Sequence, residues 1–344
     1  MTRLFLPVLP VLLALTVTCA PAQAPVLTVQ QSGTTALLQA VSVSSREPGV
    51  VWISGHRGSV TRTIDGGATW STMVVPGQDS MQFRDVHGID AQRAWLMAAG
   101  NGAASRILQT TDGGGTWTPR FVNADSAAFY DCMAFWDDRH AFAISDSKNG
   151  RMPLLRTDDG ENWALSAIDA LPGEGGFAAS GTCALTNAAG DAWIGTGSAA
   201  TPRVLHSTDR GRRWSAAVVP IVSGEGAGIT GLAFRDRRHG IAVGGTISGK
   251  AAGARVARTS DGGATWVVAG EPPTAGPLYG VAAGVAAGRP VLIAVGPGGA
   301  VWSGDDGATW TLLDASPYWS VGFGAGATAW LAGPRGRIAR VDFR

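Results

Sequence analysis

The chain says nearly the same thing six times. The phrase RTIDGGATW, ending at Trp70, returns as QTTDGGGTW at Trp117, RTDDGENW at Trp163, HSTDRGRRW at Trp214, RTSDGGATW at Trp266 and SGDDGATW at Trp310. Measured at the aspartate five residues before each tryptophan, the copies fall at Asp65, Asp112, Asp158, Asp209, Asp261 and Asp305, in steps of 47, 46, 51, 52 and 44 residues. Units of that length cannot bury a hydrophobic face alone, so neighbouring copies must stack. The period suits propeller blades and is too long for helical arrays of about 34 residues.

Strands are visible inside one period. In the second unit QFRDVHGI alternates, RAWLMAAG follows a polar turn, SRILQTTD leads into the glycines and TWTPRFV leaves them. These are four short apolar or aromatic runs bounded by turns, and no window reads as a helix. The chain is therefore expected to be all-β, a β-propeller of four-stranded blades. Second strands recur as AFAISD, AWIGTG, GIAVGG, VLIAVG and AWLAGP, and the last belongs to a seventh unit that stops at Arg344 without the phrase. That unit offers three strands. An unpaired edge is a liability, and the run PVLTVQQS near the start supplies a candidate fourth. The expectation is a single seven-bladed propeller over residues 25–344, closed by residues 25–32.

Ahead of it, residues 1–24 combine Arg3, an apolar run from Leu4 to Val17 and two A-x-A patterns. This reads as a secretory signal peptide over residues 1–22, with cleavage at 24 as the other choice; the apolar run is too short to span a bilayer. Thr18 before Cys19 argues against a lipoprotein. The expected location is periplasmic or secreted. Without Arg3 the chain's 27 basic and 26 acidic residues balance, which leaves no basic field for nucleic acid; the protein reads as a monomer with no membrane span.

Cys132 and Cys183 remain in a compartment that permits disulfides. Each precedes an aromatic, Phe142 or Trp193, by ten residues, a count that sets them face to face on neighbouring inner strands. The apolar alternation places Cys132 on the opposite face, so the pairing stays open.

The repeated phrase fits a tight turn between third and fourth strands. The Asp carboxylate can accept from amides of its own turn, Gly supplies positive φ, Thr caps the turn and the Trp packs between blades. Trp70, Trp117, Trp163, Trp214, Trp266 and Trp310, with their six aspartates, are thus structural candidates rather than calcium ligands. The five histidines are scattered, and neither a metal nor a cofactor is expected.

The pattern S/T-x-D-x-G-x-T-W resembles the Asp-box, or bacterial neuraminidase repeat, of sialidases, two-propeller xyloglucanases, sortilin-type receptors and the photosystem II assembly and stability factor family. It matches fully at Asp65, Asp112 and Asp261. At Asp158 the first position is Arg156, at Asp209 Arg213 replaces Thr, and Asp305 keeps Ser303 and the remainder. Phrases such as AFRDRRHGIAVGG and AFWDDRHAFAISD make the whole mature chain resemble the assembly-factor-like propellers. That resemblance implies a non-catalytic scaffold binding a protein partner in the cell envelope, or a small ligand. The alternative is a sialidase-like glycoside hydrolase, which needs a Tyr nucleophile with a Glu partner, an acid/base Asp and three Arg. The chain has only Tyr130, Tyr279 and Tyr318, and its one RMP string, Arg151–Pro153, comes three blades too late.

Propeller ligands sit on the face opposite such turns. There the loops bring Arg57 in GHRG, Asp146 in SDSKNGRM, Arg335 in GPRG, and two Gly-flanked glutamates, Glu174 and Glu225, 51 residues apart like Asp158 and Asp209. These five are the candidate ligand or partner contacts, suited to a cationic or hydroxyl-rich ligand. Arg84 and Asp131, on inner first strands, read either as an interblade ion pair or as further contacts.

Overall fold

The computed structural model describes residues 24–247, 252–324 and 326–343; the expected leader lies outside them. The described chain forms seven four-stranded antiparallel sheets, a seven-bladed β-propeller. Blade 1 spans residues 38–74, blade 2 83–122, blade 3 130–169, blade 4 184–218, blade 5 227–268 and blade 6 280–314. Blade 7 takes its three inner strands from residues 320–342 and its outer strand, Val26–Gln31, from the other end of the chain, with Val26 opposite Asp342 and Gln31 opposite Arg337. Apart from two single 3-10 turns, at Gly102–Ala104 and Pro334–Gly336, regular structure among the described residues is strand.

A hydrophobic cluster fills every gap between successive blades, including the gap between blade 7 and blade 1, where Leu38, Val51 and Ile53 meet Trp330, Ala332 and Ile338. Tryptophans of the repeated turns enter several of these gaps. Trp70 meets Trp330 of the preceding blade edge-on at 5.5 Å, Trp117 meets Trp52 at 6.2 Å, Trp163 meets Trp95 at 6.2 Å and Trp214 meets Phe142 at 5.6 Å. Edge-to-face pairs add to the burial each ring already contributes, and they fix the angle between blades.

The aspartate turns orient those rings. Asp65 Oδ1 accepts from Thr63 Oγ1 at 2.7 Å and from the Thr69 amide at 2.9 Å, Oδ2 accepts from Thr69 Oγ1 at 2.6 Å, and the Gly67 amide donates to Thr63 Oγ1. The pattern repeats at Asp112, Asp261 and Asp305, and with Ser207 and the Arg213 amide at Asp209. In blade 3 the expectation for Asp158 is corrected. That turn is one residue shorter, so Asp159 accepts from Thr157 Oγ1 and the Asn162 amide, while Asp158 points outward to Arg156.

The first strands of four blades are not regular. The ladder register slips at Gln39 in blade 1, Arg84 in blade 2, Asp131 in blade 3 and Thr230 in blade 5. A bulge sets two residues against one and re-aims a side chain. Three of these bulge residues, Gln39, Arg84 and Asp131, line a central cavity.

Candidate functional site

Blade 4 departs from the pattern in another way. Its first strand is only Ala184–Thr186, because the preceding residues, 176–182, leave the sheet and fold over the centre of the ring. The segment is held from all sides. Gln39 Nε2 of blade 1 donates to the Ala178 carbonyl at 2.9 Å, Ser180 Oγ donates to the Tyr279 carbonyl of blade 6 at 2.7 Å, and Ser320 Oγ of blade 7 donates to the Ser180 carbonyl at 2.7 Å. From blade 5 the Leu232 amide donates to the Thr182 carbonyl at 2.8 Å, and Asp131 of blade 3 lies against Gly176, where a Cβ would meet its Cγ at 3.1 Å. At Gly181, φ is +73° and a Cβ would sit 2.7 Å from Asp85 Oδ1 of blade 2, so no other residue fits without displacement. Ala178, Ala179 and Ser180 are buried. This loop is a plug.

Above the plug lies a cavity of about 370 Å³ lined by residues of six blades, among them Gln39, His56, Arg84, Phe129, Asp131, Phe177, Tyr279 and Trp319. Phe129, Phe177, Tyr279 and Trp319 are half-buried, and Tyr279 leans on Trp319 at 5.1 Å. Arg84 lies over Phe129 at 5.9 Å and donates through Nε and Nη2 to Gln82 Oε1. His56 Nε2 is 2.7 Å from Gln39 Oε1; burial, with Arg84 and Arg57 nearby, holds its ring below the usual histidine range. Asp131 is 2% exposed, and its Oδ2 has no hydrogen-bond partner among the described residues. Burial and the neighbouring Asp146 push the Asp131 carboxyl up, against the pull of Arg84. Asp146 is exposed, and partial desolvation pushes its carboxyl up to about 6.

None of the five expected contacts is in the lining of this cavity; Asp146 stands near it, within the field of Asp131, and a Cβ on Gly175, at the root of the plug, would collide with its Oδ1. Glu174 is 1% exposed and turned away. Its carboxylate accepts from Thr196 Oγ1 at 2.7 Å, the Leu171 amide at 2.8 Å and Arg203 Nε at 2.9 Å, with Arg203 Nη2 as a fourth donor. Burial works against ionisation there, but the Arg203 and Thr196 bonds hold its carboxyl below the usual range. Glu225 is exposed. The two glutamates are therefore not a matched pair. Arg255, which occupies the place of Arg203 in blade 5, bonds Glu271 and the Pro272 carbonyl instead. Arg57 and Arg335 both sit exposed at positive φ in second-to-third-strand loops, outside the cavity lining.

Cys132 and Cys183 are joined by a disulfide, Cα to Cα 6.2 Å. Cys132 faces blade 4 beside Ala134, Phe142 and Ile144. Cys183 lies where the plug rejoins the sheet, one residue before the first ladder pair, Ala184 with Ile194, so the alternation of blade 4 does not govern it.

Sequence reasoning left Gln39, His56, Phe129, Phe177, Tyr279 and Trp319 out of the site. The available signal was FAASGTC at residues 177–183, which interrupts a first strand and repeats nowhere else. Tyr318, one of the three tyrosines open to the hydrolase alternative, is fully buried and donates to Asp314 Oδ2 at 2.6 Å. Among the described residues no Glu lines the cavity with Tyr279. A second cavity of about 330 Å³, between blades 5 and 6, pairs Arg235 with Asp306 and His239 with the neighbouring Asp236, and carries the exposed Arg258 on its wall. Among the described residues no group of three His, Cys, Asp or Glu could hold a metal ion, and no helix is long and apolar enough to cross a membrane.

No protein-family model matches the chain, and no curated protein sequence matches it. Solved structures do. The chain is similar to YCF48 bound to D1 peptide, at 16% identity over 92% of this chain and 97% of that one, TM-score 0.64. It is similar to YCF48 from Cyanidioschyzon merolae, at 16% identity over 92% and 98%, TM-score 0.64. It also resembles the RRP9 WD40 repeats, at 14% identity over 94% and 100%, TM-score 0.63. At such identities the likeness establishes the propeller fold.

Proposed function

We propose that this protein is a non-catalytic scaffold of the cell envelope, exported by its leader, that binds a segment of a protein partner in the central cavity of its top face, in the manner of an assembly factor. The observation that carries this reading is the cavity itself. It gathers half-buried aromatic side chains from blades 3, 6 and 7 and from the plug, together with the unpartnered Asp131 Oδ2. Apolar walls with a few convergent polar groups are what a binding pocket requires. Two further points support it: the structural likeness to YCF48, one of whose structures contains a bound D1 peptide, and the reading of the six aspartate turns as Asp-boxes that spend the bottom face on structure.

Capture from the envelope fraction followed by mass spectrometry tests it, with three baits: wild type, Trp319→Ala on the top face and Asp112→Ala on the bottom. A partner retained by wild type and Asp112→Ala but lost with Trp319→Ala is the expected outcome. Equal retention by all three would place binding elsewhere.

A further inference from the structure

The central cavity is one positive charge short. Two carboxylates, Asp131 and Asp146, face each other's field at its edge, and one guanidinium, Arg84, stands opposite. Every other cation nearby is engaged or outside: Lys148 pairs with Asp125, Arg151 with Asp169 and Arg203 with Glu174, while Arg57 is exposed on the rim. His56 adds none, since its ring is held neutral. Arg84 itself spends two donors on Gln82 and lies over Phe129 rather than bonding Asp131. A buried polar atom without a partner is costly, and Asp131 Oδ2 is such an atom, on a residue 2% exposed, unbonded among the described residues, on the cavity wall. The rest of that wall, Phe177, Tyr279 and Trp319, offers ring faces of the kind that attract cations.

Resting on the reading that the top face binds a protein segment, we propose that the cavity takes one basic side chain of that segment, arginine or lysine, with its alkyl stem against Phe177, Tyr279 and Trp319 and its charged head on Asp131 and Asp146. The incoming cation supplies the missing countercharge. It also binds best to the ionised carboxylates, so affinity falls as pH is lowered through about 6, where Asp146 takes up a proton.

The test titrates the full chain with Nα-acetylarginine amide, its neutral isostere Nα-acetylcitrulline amide and Nα-acetylglutamate amide, followed by tryptophan fluorescence and NMR shifts. The expected result is an arginine preference over citrulline of about tenfold or more at pH 8, equivalent to about 1.4 kcal/mol, shrinking as pH falls through 6. Asp146→Asn should abolish the preference; because this residue touches solvent, the variant carries the test even where Asp131→Asn fails to fold. Trp319→Ala should weaken the arginine and citrulline probes alike. Equal binding of arginine and citrulline, preference for glutamate, or no arginine binding at 10-millimolar-order concentrations overturns the inference. Citrulline binding that still depends on Trp319 would do so while leaving the top-face reading intact. Capture of the same envelope partner by wild type and Trp319→Ala would instead remove the reading beneath it.

Discussion

Gln39 of blade 1 and Ala178 of the plug leading into blade 4 are joined by a 2.9 Å hydrogen bond across the centre of the ring. With the Ser180 bonds to blades 6 and 7 and the ion pair of Arg46 in blade 1 with Asp138 in blade 3, this contact ties together parts of the ring that the repeat alone leaves independent.

The plug should therefore be a stability element. Gly181→Ala combines a positive φ with a close approach to Asp85, whereas Gly66→Ala has a positive φ of +67° and open space around its Cβ. Chemical denaturation is expected to show Gly181→Ala costing about 2 kcal/mol or more and Gly66→Ala nearer 1. Equal losses would mean that backbone strain alone is being measured.

Glu174→Ala should destabilise the protein rather than merely weaken binding. Removing one partner of a buried pair leaves the Arg203 charge short of its acceptor, at a cost of about 3 kcal/mol. Glu225→Ala, at an exposed carboxylate, should leave the melting temperature within about a degree of wild type. A stable Glu174→Ala variant would show that Arg203 finds solvent instead.

The disulfide closes a segment of sequence separation 51, and its loss should cost about 2 to 4 kcal/mol on loop-entropy grounds. The double variant Cys132→Ser, Cys183→Ser should melt lower than wild type, and a reducing agent should no longer shift it. Because Cys183 anchors the end of the plug, binding of an aromatic probe to the top face should weaken as well.

Asp85 gives a distinctive pH dependence. It accepts from the Val86 amide and, across the blade gap, from the Met133 amide, both at 2.8 Å, yet burial pushes its carboxyl up to about 8. The folded protein keeps this proton between about pH 4 and 8 while the unfolded chain releases it, so this group lowers stability as pH rises across that window, by up to about 1.4 kcal/mol per unit. Asp85→Asn should flatten the stability curve there. An unchanged slope would mean that Asp85 is ionised in the folded state.

The turn aspartates act in the opposite sense. The backbone amide and hydroxyl of Thr116 hold Asp112 down at about 2, and the hydroxyl and amide of Thr69 and Thr265 do the same for Asp65 and Asp261. Their contribution is present above about pH 4 and is lost as pH falls toward 2. Asp112→Ala should lower the melting temperature at pH 7 and narrow its gap to wild type near pH 2. A gap that stays constant with pH would show that the carboxylate charge is not what holds the turn.

Much of this molecule is written locally. The aspartate, glycines and tryptophan of each phrase interact within nine residues, so their spacing alone placed the turns, and the alternation of each run placed the strands. Counting those units gave the seven blades. Even there, one residue's difference in length moved the turn aspartate from Asp158 to Asp159, because the carboxylate must sit two residues after the hydroxyl it accepts from, Thr157 here as Thr63 for Asp65.

The cavity was settled at long range. Side chains separated by about 280 residues, Leu37 and Trp319, share its wall, and nothing in the local sequence of either announces the other. A bulge shifts a side chain's direction by one residue, which neither composition nor alternation records, so Arg84 and Asp131 stayed ambiguous until the ladders were known. Glu174 and Glu225 look alike in sequence because their flanking glycines do. Only the closed ring decided that Arg203 reaches the first while Arg255 turns to Glu271, since which charges pair depends on which loops pack within a few ångströms of one another. The sequence determined the repeating frame through short-range hydrogen bonding and hydrophobic periodicity; the tertiary structure alone decided the plug, the disulfide and the charge balance at the centre, where seven blades converge and each side chain's neighbours come from somewhere else in the chain.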